Sequence, residues 1–213
     1  MTPGLNTSDL YLSTFTMPEI DRYVIDQSRL HADFPTHIQP AEFWEALGRT
    51  IATFGLLEEV LCKAIFVFTA TRPYSDAEIA SAYEEWVAKL ERSLSDPLGN
   101  LIDTYGRAVR EHPEATISNR DDLMKDLRAA SKIRNVLCHG SWRTPDSSGA
   151  SIPFYVNKQS ERFDTPIDKG WLEVTRRHSV ELICVVINSV TQMGFQFPSS
   201  SGPGVPVWTS KKA

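Results

Sequence analysis

The stretch KIRNVLCHGSW, residues 132–142, places an arginine, an asparagine and a histidine close together. Histidine changes charge near neutral pH, so it can carry a proton to or from a reacting oxygen. Arginine stays protonated and offers a fixed fork of donors that suits a phosphate. Arg134 and His139 are therefore residue types able to stabilise a negative charge and to move a proton. The same residues also read as an ordinary helix end. Cations in a last turn complement the helix dipole, and a glycine such as Gly140 commonly follows the last helical residue. The segment alone leaves both readings open.

The elements that would carry these residues are helical. From Pro40, a good first-turn residue, no breaker occurs until Pro73. Leu47, Ile51, Phe54, Glu58, Leu61, Ile65 and Phe68 recur every three or four residues, the stripe of a long amphipathic helix. Glu58 is its one polar member. A second helix is expected from Ser75, with Glu78 completing a capping box, to Pro97. It carries Ile79, Tyr83, Trp86, Leu90 and Leu94. A shorter helix, LGNLIDTYGRAVREH, ends before Pro113. The next opens at SNRD, with Ser118 as N-cap, and runs to Gly140. Its stripe is Leu123, Leu127, Ala130, Arg134 and Leu137, again with one charged member.

A lone charge on an apolar seam is costly unless it is paired. Glu58 and Arg134 are therefore expected either to meet or to lie at seam edges and reach water along their own stems. His139 lies ~140° round the helix from Arg134 and ~7.5 Å along it, so the two flank one edge of the helix end. Lys132, Arg128 and Lys125 precede His139 on its own phase and form a basic row, diluted by Asp121 and Asp126.

After Gly140 the composition changes. IPFYVNK and GWLEVT read as short strands or extended segments, and a last helix is expected over about 178–193, with Val180, Ile183, Ile187 and Val190 on one face. The expected architecture is all-α, an up-and-down bundle of four to five helices with a small extended or β insert before the last helix. Residues 1–39 form an irregular arm, 40–197 the bundle with the insert at about 141–175, and 198–213 a Pro/Gly/Ser-rich tail.

Composition narrows the function classes. The chain has 213 residues, a net charge of −5 and an ordinary apolar content of 41%. Broad adhesion to nucleic acid is not expected, and RNA contact needs a local basic patch. No apolar run approaches the ~20 residues of a membrane span, and MTPGLNTSDLYLST has no signal-peptide pattern. Cys62, Cys138 and Cys184 show no metal-ligand spacing, so reduced thiols in a cytoplasmic protein are expected. Cys138 reads as a small core residue rather than a thiol nucleophile, because its neighbour His139 points ~100° away and cannot easily hydrogen-bond to it; Cys62 and Cys184 also read as core. His112 and His178 read as surface residues at helix ends. His31 and His37, in the arm, have no metal spacing. No phosphate-binding glycine motif occurs. Trp44 reads as core, with Trp142 and Trp171 packing the insert onto the bundle.

Arg134 to His139 fits the RxxxxH signature of the HEPN superfamily, and RNVLCHGSW resembles its common "RN…HG.W" form. FGLLEEVL in the first long helix is similar to a pattern often seen there, with Glu58 at its acidic position. The resemblance covers roughly residues 43–70 and 120–142. It implies a helical bundle that dimerises so that two RxxxxH helices line one cleft, and, for many members, metal-independent endoribonuclease activity, often in toxins or phage-defence factors. On this basis Arg134 and His139 are expected to be catalytic, with Asn135 and Glu58 supporting them and Lys125, Arg128 and Lys132 contacting the RNA backbone. No metal or cofactor is implied. The expected partners are RNA, a second copy of the chain and an antitoxin or regulatory protein. Other members of the superfamily are inactive. The alternative is a catalytically silent helical module that binds a protein or nucleotide at the same cleft.

Overall fold

The computed structural model describes residues 23–79, 81, 83, 84, 87, 96–115, 117 and 119–200. Among the described residues four helices organise the fold: α1 (Ala41–Ala70), α2 (Leu98–Glu111), α3 (Arg120–His139) and α4 (Lys169–Thr191). The helical bundle expected from the periodicity is present. Most of the helix expected between Ser75 and Pro97, including Trp86, lies outside the described residues. Its opening is described. Ser75 N–H and Oγ both donate to Glu78 Oε2, at 2.9 and 2.6 Å. The Ser75 bonds hold the Glu78 carboxyl below its usual range.

Local sequence explains where each helix starts. Pro40 and Pro97 precede α1 and α2 with extended ψ, a place where proline's missing N–H costs nothing. The α3 first turn carries Asp121 and Asp122, which complement the dipole. The residue before it is Asn119 in the left-handed region, φ 58°, with no side-chain cap; the proposed cap, Ser118, is outside the described residues. Asp168 caps α4 by accepting from Trp171 N–H at 2.7 Å. This corrects the expectation for GWLEVT, which forms the first turns of α4 rather than an extended segment. The insert accordingly ends at 168, not near 175.

α1 is the central element and packs most extensively on α4. Glu42 faces Lys169, 3.9 Å, and Thr50 Oγ1 reaches Leu172 O, 3.2 Å; α1 and α4 therefore run parallel. α3 runs against them, since Glu58 meets Arg134 while Phe43 meets Trp142. α2 is antiparallel to α3: Asp103 pairs with Arg128, and Gly106 lets Met124 come close enough to clash with any added Cβ. Phe43, Phe54, Leu57, Leu61, Phe68, Leu101, Tyr105, Leu127, Leu172 and Val186 fill the core. Tyr105 donates to Ser189 Oγ at 2.9 Å, and burial pushes its phenol up to about 12 against that bond.

Four expectations about single residues, His112, Cys138, Cys184 and Val180, change. His112 is not a surface residue but only 4% exposed. Its Nδ1 accepts from Glu114 N–H in the turn after α2, and Nε2 lies 3.1 Å from the hydroxyl of Thr71, which caps the end of α1, so both ring nitrogens have partners. Cys138 and Cys184 are exposed, while Cys62 is half-buried. On α4 the core face is Leu172, Leu182, Ile183, Val186 and Val190; Val180 is exposed.

Among the described residues the insert, 141–168, contains only isolated antiparallel bridges: Ser141 with Phe154, Ser151 with Ile167, and Val156 with Arg162. Ile167 is fully buried, and Trp142, Tyr155 and Phe163 pack against the core. Trp142 sits edge-on to Phe43 and Trp44, at 4.9 and 6.4 Å. The arm joins here: Trp44 Nε1 donates to Thr36 O at 2.7 Å, and Gln39 Nε2 donates to Arg143 O at 2.9 Å.

Candidate functional site

The two charged residues on apolar seams meet. Arg134 Nη2 on α3 lies 3.1 Å from Glu58 Oε1 on α1, and the two side chains are 27% and 26% exposed. The contact is an ion pair rather than a directed hydrogen bond, because Glu58 Oε1 is buried with no hydrogen-bond partner. One turn along α1 the Cys62 thiol is pushed up, first by burial and next by the Glu58 charge. The pair thus resolves the burial problem that the seam pattern posed.

His139 is the last residue of α3 and is exposed. Gly140 N–H closes the helix on Val136 O at 2.8 Å. Gly140 is not left-handed, with φ −70°, so backbone freedom is not why glycine stands there. A Cβ would lie 2.6 Å from Val136 O and 2.9 Å from Pro153 Cβ. Close approach of the insert to the helix end requires the glycine.

Lys125, Arg128, Lys132, Asn135 and His139 follow one another at three- and four-residue steps and share a face of α3; Arg134 turns away from them onto α1. Lys125, Arg128 and Lys132 are exposed and Asn135 is half-buried. Arg128 is engaged, paired with Asp103 at 3.0 Å. The structure therefore brings Arg134 to Glu58, and Lys132 and Asn135 to one groove, but does not place Arg134 and His139 on a common surface within one chain.

That groove, of ≈ 450 Å³, lies between α3 and the insert. Lys132, Asn135 and Val136 form one wall; Tyr155, Lys158, Arg162 and Phe163 are on the other. Sequence reasoning missed the second wall. The available signal for it was the basic pair Lys158 and Arg162 in NKQSER; the alternation of Ile152, Phe154 and Val156 places these three together on the other side of the extended segment from Tyr155. All three are exposed.

Among the described residues, no group of three or more His, Cys, Asp or Glu is placed to hold a metal ion, and no helix is long and apolar enough to cross a membrane. No family model, no curated protein and no solved structure matches this chain.

Proposed function

We propose that this protein is a metal-independent endoribonuclease that works as a homodimer in the cytoplasm, in a toxin or phage-defence setting. The observation that carries the reading is the arrangement at the end of α3: a guanidinium paired with Glu58 across the α1–α3 seam, with an exposed histidine at the helix terminus. The ribose 2′-OH attacks the adjacent phosphorus, the bond to the 5′-oxygen breaks, and a 2′,3′-cyclic phosphate remains. One neutral imidazole accepts the 2′-OH proton while a protonated one delivers a proton to the leaving 5′-oxygen. One chain supplies a single histidine at this site, so two copies must contribute His139 each. Arg134 stabilises the charge on the phosphate oxygens, Asn135 holds a phosphate oxygen or orients His139, and Lys125 and Lys132 draw in the backbone.

A second reading has its own support. Arg134 already has an internal partner and is mostly buried, as in a silent module that binds a protein or nucleotide at the same cleft. Incubating a mixed RNA pool with the purified chain in excess EDTA separates the two. Cleavage to 2′,3′-cyclic ends, lowered about 10²–10⁴-fold in His139→Ala, supports the enzyme. Equal cleavage by both proteins, or none by a folded dimer, supports the silent module.

A further inference from the structure

The insert presents a second feature that the α3 site does not use. Phe154 is 46% exposed. The guanidinium carbons of Arg143 and Arg162 lie 5.4 and 5.5 Å from its ring centroid. These residues line a groove of ≈ 500 Å³. It shares Tyr155, Arg162 and Phe163 with the groove that reaches Lys132 and Asn135 on α3, so the two grooves adjoin at these residues.

The cations here differ from most of those on the bundle. Arg49, Lys63, Arg72, Arg120, Arg128, Arg134 and Lys169 each form an ion pair. Among the described residues no carboxylate pairs with Lys132, Arg143, Lys158 or Arg162, although acidic side chains stand nearby. Asp146 Oδ1 is held by its own turn, accepting from Ser148 N–H, Ser148 Oγ and Ala150 N–H. Glu161 Oε2 accepts from Asn157 Nδ2. Asp164 also lines the groove and limits how much negative charge it accepts.

We propose that the groove around Phe154 docks single-stranded RNA, with one unpaired base stacked on the Phe154 ring and the flanking phosphates on Arg143, Arg162, Lys158 and Lys132. A base has the flat face that an exposed aromatic ring pairs with, and a phosphate has the charge and geometry that a guanidinium fork accepts. The base takes the place of one guanidinium over the ring, and the displaced guanidinium meets the phosphate. The choice of RNA rests on the ribonuclease reading. Duplex RNA fits poorly, because its bases are stacked internally and present no free face. The path from Phe154 to Asn135 leads toward the α3 terminus, so the insert sets which stretch of a strand reaches His139.

The test measures anisotropy of a fluorescent single-stranded 12-mer in EDTA with the full-length His139→Ala chain, so that cleavage does not intervene. Phe154→Ala added to that chain is expected to weaken binding about 10-fold or more, Phe154→Trp to retain it, and Arg162→Gln to weaken it while lowering the salt dependence. Duplex RNA of the same length is expected to bind weakly. Unchanged affinity in both Phe154→Ala and Arg162→Gln overturns the docking site. So does equal affinity for duplex RNA, or binding of an acidic peptide in place of RNA. The two readings fail separately. Phe154-dependent binding with no cleavage by the parent chain removes the ribonuclease and keeps the docking site. Cleavage whose KM is unaltered in Phe154→Ala does the reverse.

Discussion

Arg134 and Arg162 are the same residue type in adjoining parts of the molecule, yet their surroundings are opposite. Arg134 lies on the α1–α3 seam, mostly buried, with Glu58 3.1 Å away. Arg162 lies on the insert over an exposed phenylalanine, and among the described residues no carboxylate pairs with it. The first is a charge that the fold has to accommodate. The second is a charge left open to something from outside. If that distinction is right, removing each arginine has different consequences. Arg134→Ala leaves the Glu58 carboxylate with its buried Oε1 facing no cation, and a loss of about 2 kcal/mol in folding stability is expected. Partial exposure keeps the figure below that of a fully buried pair. Urea unfolding at fixed protomer concentration measures it, and Glu58→Gln added to Arg134→Ala should restore part of the loss. A loss of no more than a few tenths would break the comparison, because Glu58 would then be a seam-edge residue satisfied by water.

The junction between the two regions is the next place to press. Gly140 ends α3 and brings Pro153 of the insert against the helix terminus, leaving no room for a Cβ. Gly140→Ala must shift Pro153 or the last turn, and a cost of about 1–2 kcal/mol is expected. Because the insert wall of the groove moves with Pro153, the same variant should weaken binding of the single-stranded 12-mer more than Gly149→Ala does, although Gly149 has φ +82° and open space around it. Equal effects on binding would mean that the insert is not held in place by the α3 terminus.

The bundle was legible in the sequence because it is written in period. The α1 stripe from Leu47 to Phe68 is the buried face apart from Ile51 and Glu58, which are half-buried. The cost of a lone charge on a seam made the meeting of Glu58 and Arg134 one of two expected outcomes. Periodicity failed where a single cap outweighed composition. The β-branched residues and glycine of GWLEVT suggest an extended segment, but Asp168 lies three residues before Trp171 and caps its N–H, so the helix starts there. Leu172, Ser179 and Val186 then share one buried face. His112 was misplaced for a similar reason. A histidine after a helix end reads as exposed unless its ring nitrogens are known to find partners, here Glu114 N–H in the next turn and the distant Thr71 hydroxyl at the end of α1. The insert was least legible, since it has bridges but no ladder among its described residues. Its groove is assembled from separated stretches, and no local spacing announces that Arg143, Phe154 and Arg162 converge.

The smallest expected effect completes the contrast with Arg134. Arg162→Gln removes a charge that no carboxylate among the described residues balances and a cation–π contact at an exposed ring, worth about 0.5–1 kcal/mol at such sites. Glutamine keeps part of the stem packing, so folding stability should change by no more than about 0.5 kcal/mol. Arg143→Gln should behave alike, because the Arg143 carbonyl, not its guanidinium, accepts the bonds from Gln39 and Ser151 that tie the arm and insert together. These variants are measured in the same urea titrations as Arg134→Ala. Near-zero stability changes at 143 and 162, beside a large one at 134, mean that the insert arginines are dispensable to the fold and are available to a ligand. Losses as large as that of Arg134→Ala mean instead that the arginines over Phe154 fasten the insert to itself, and the open-charge side of the comparison is lost.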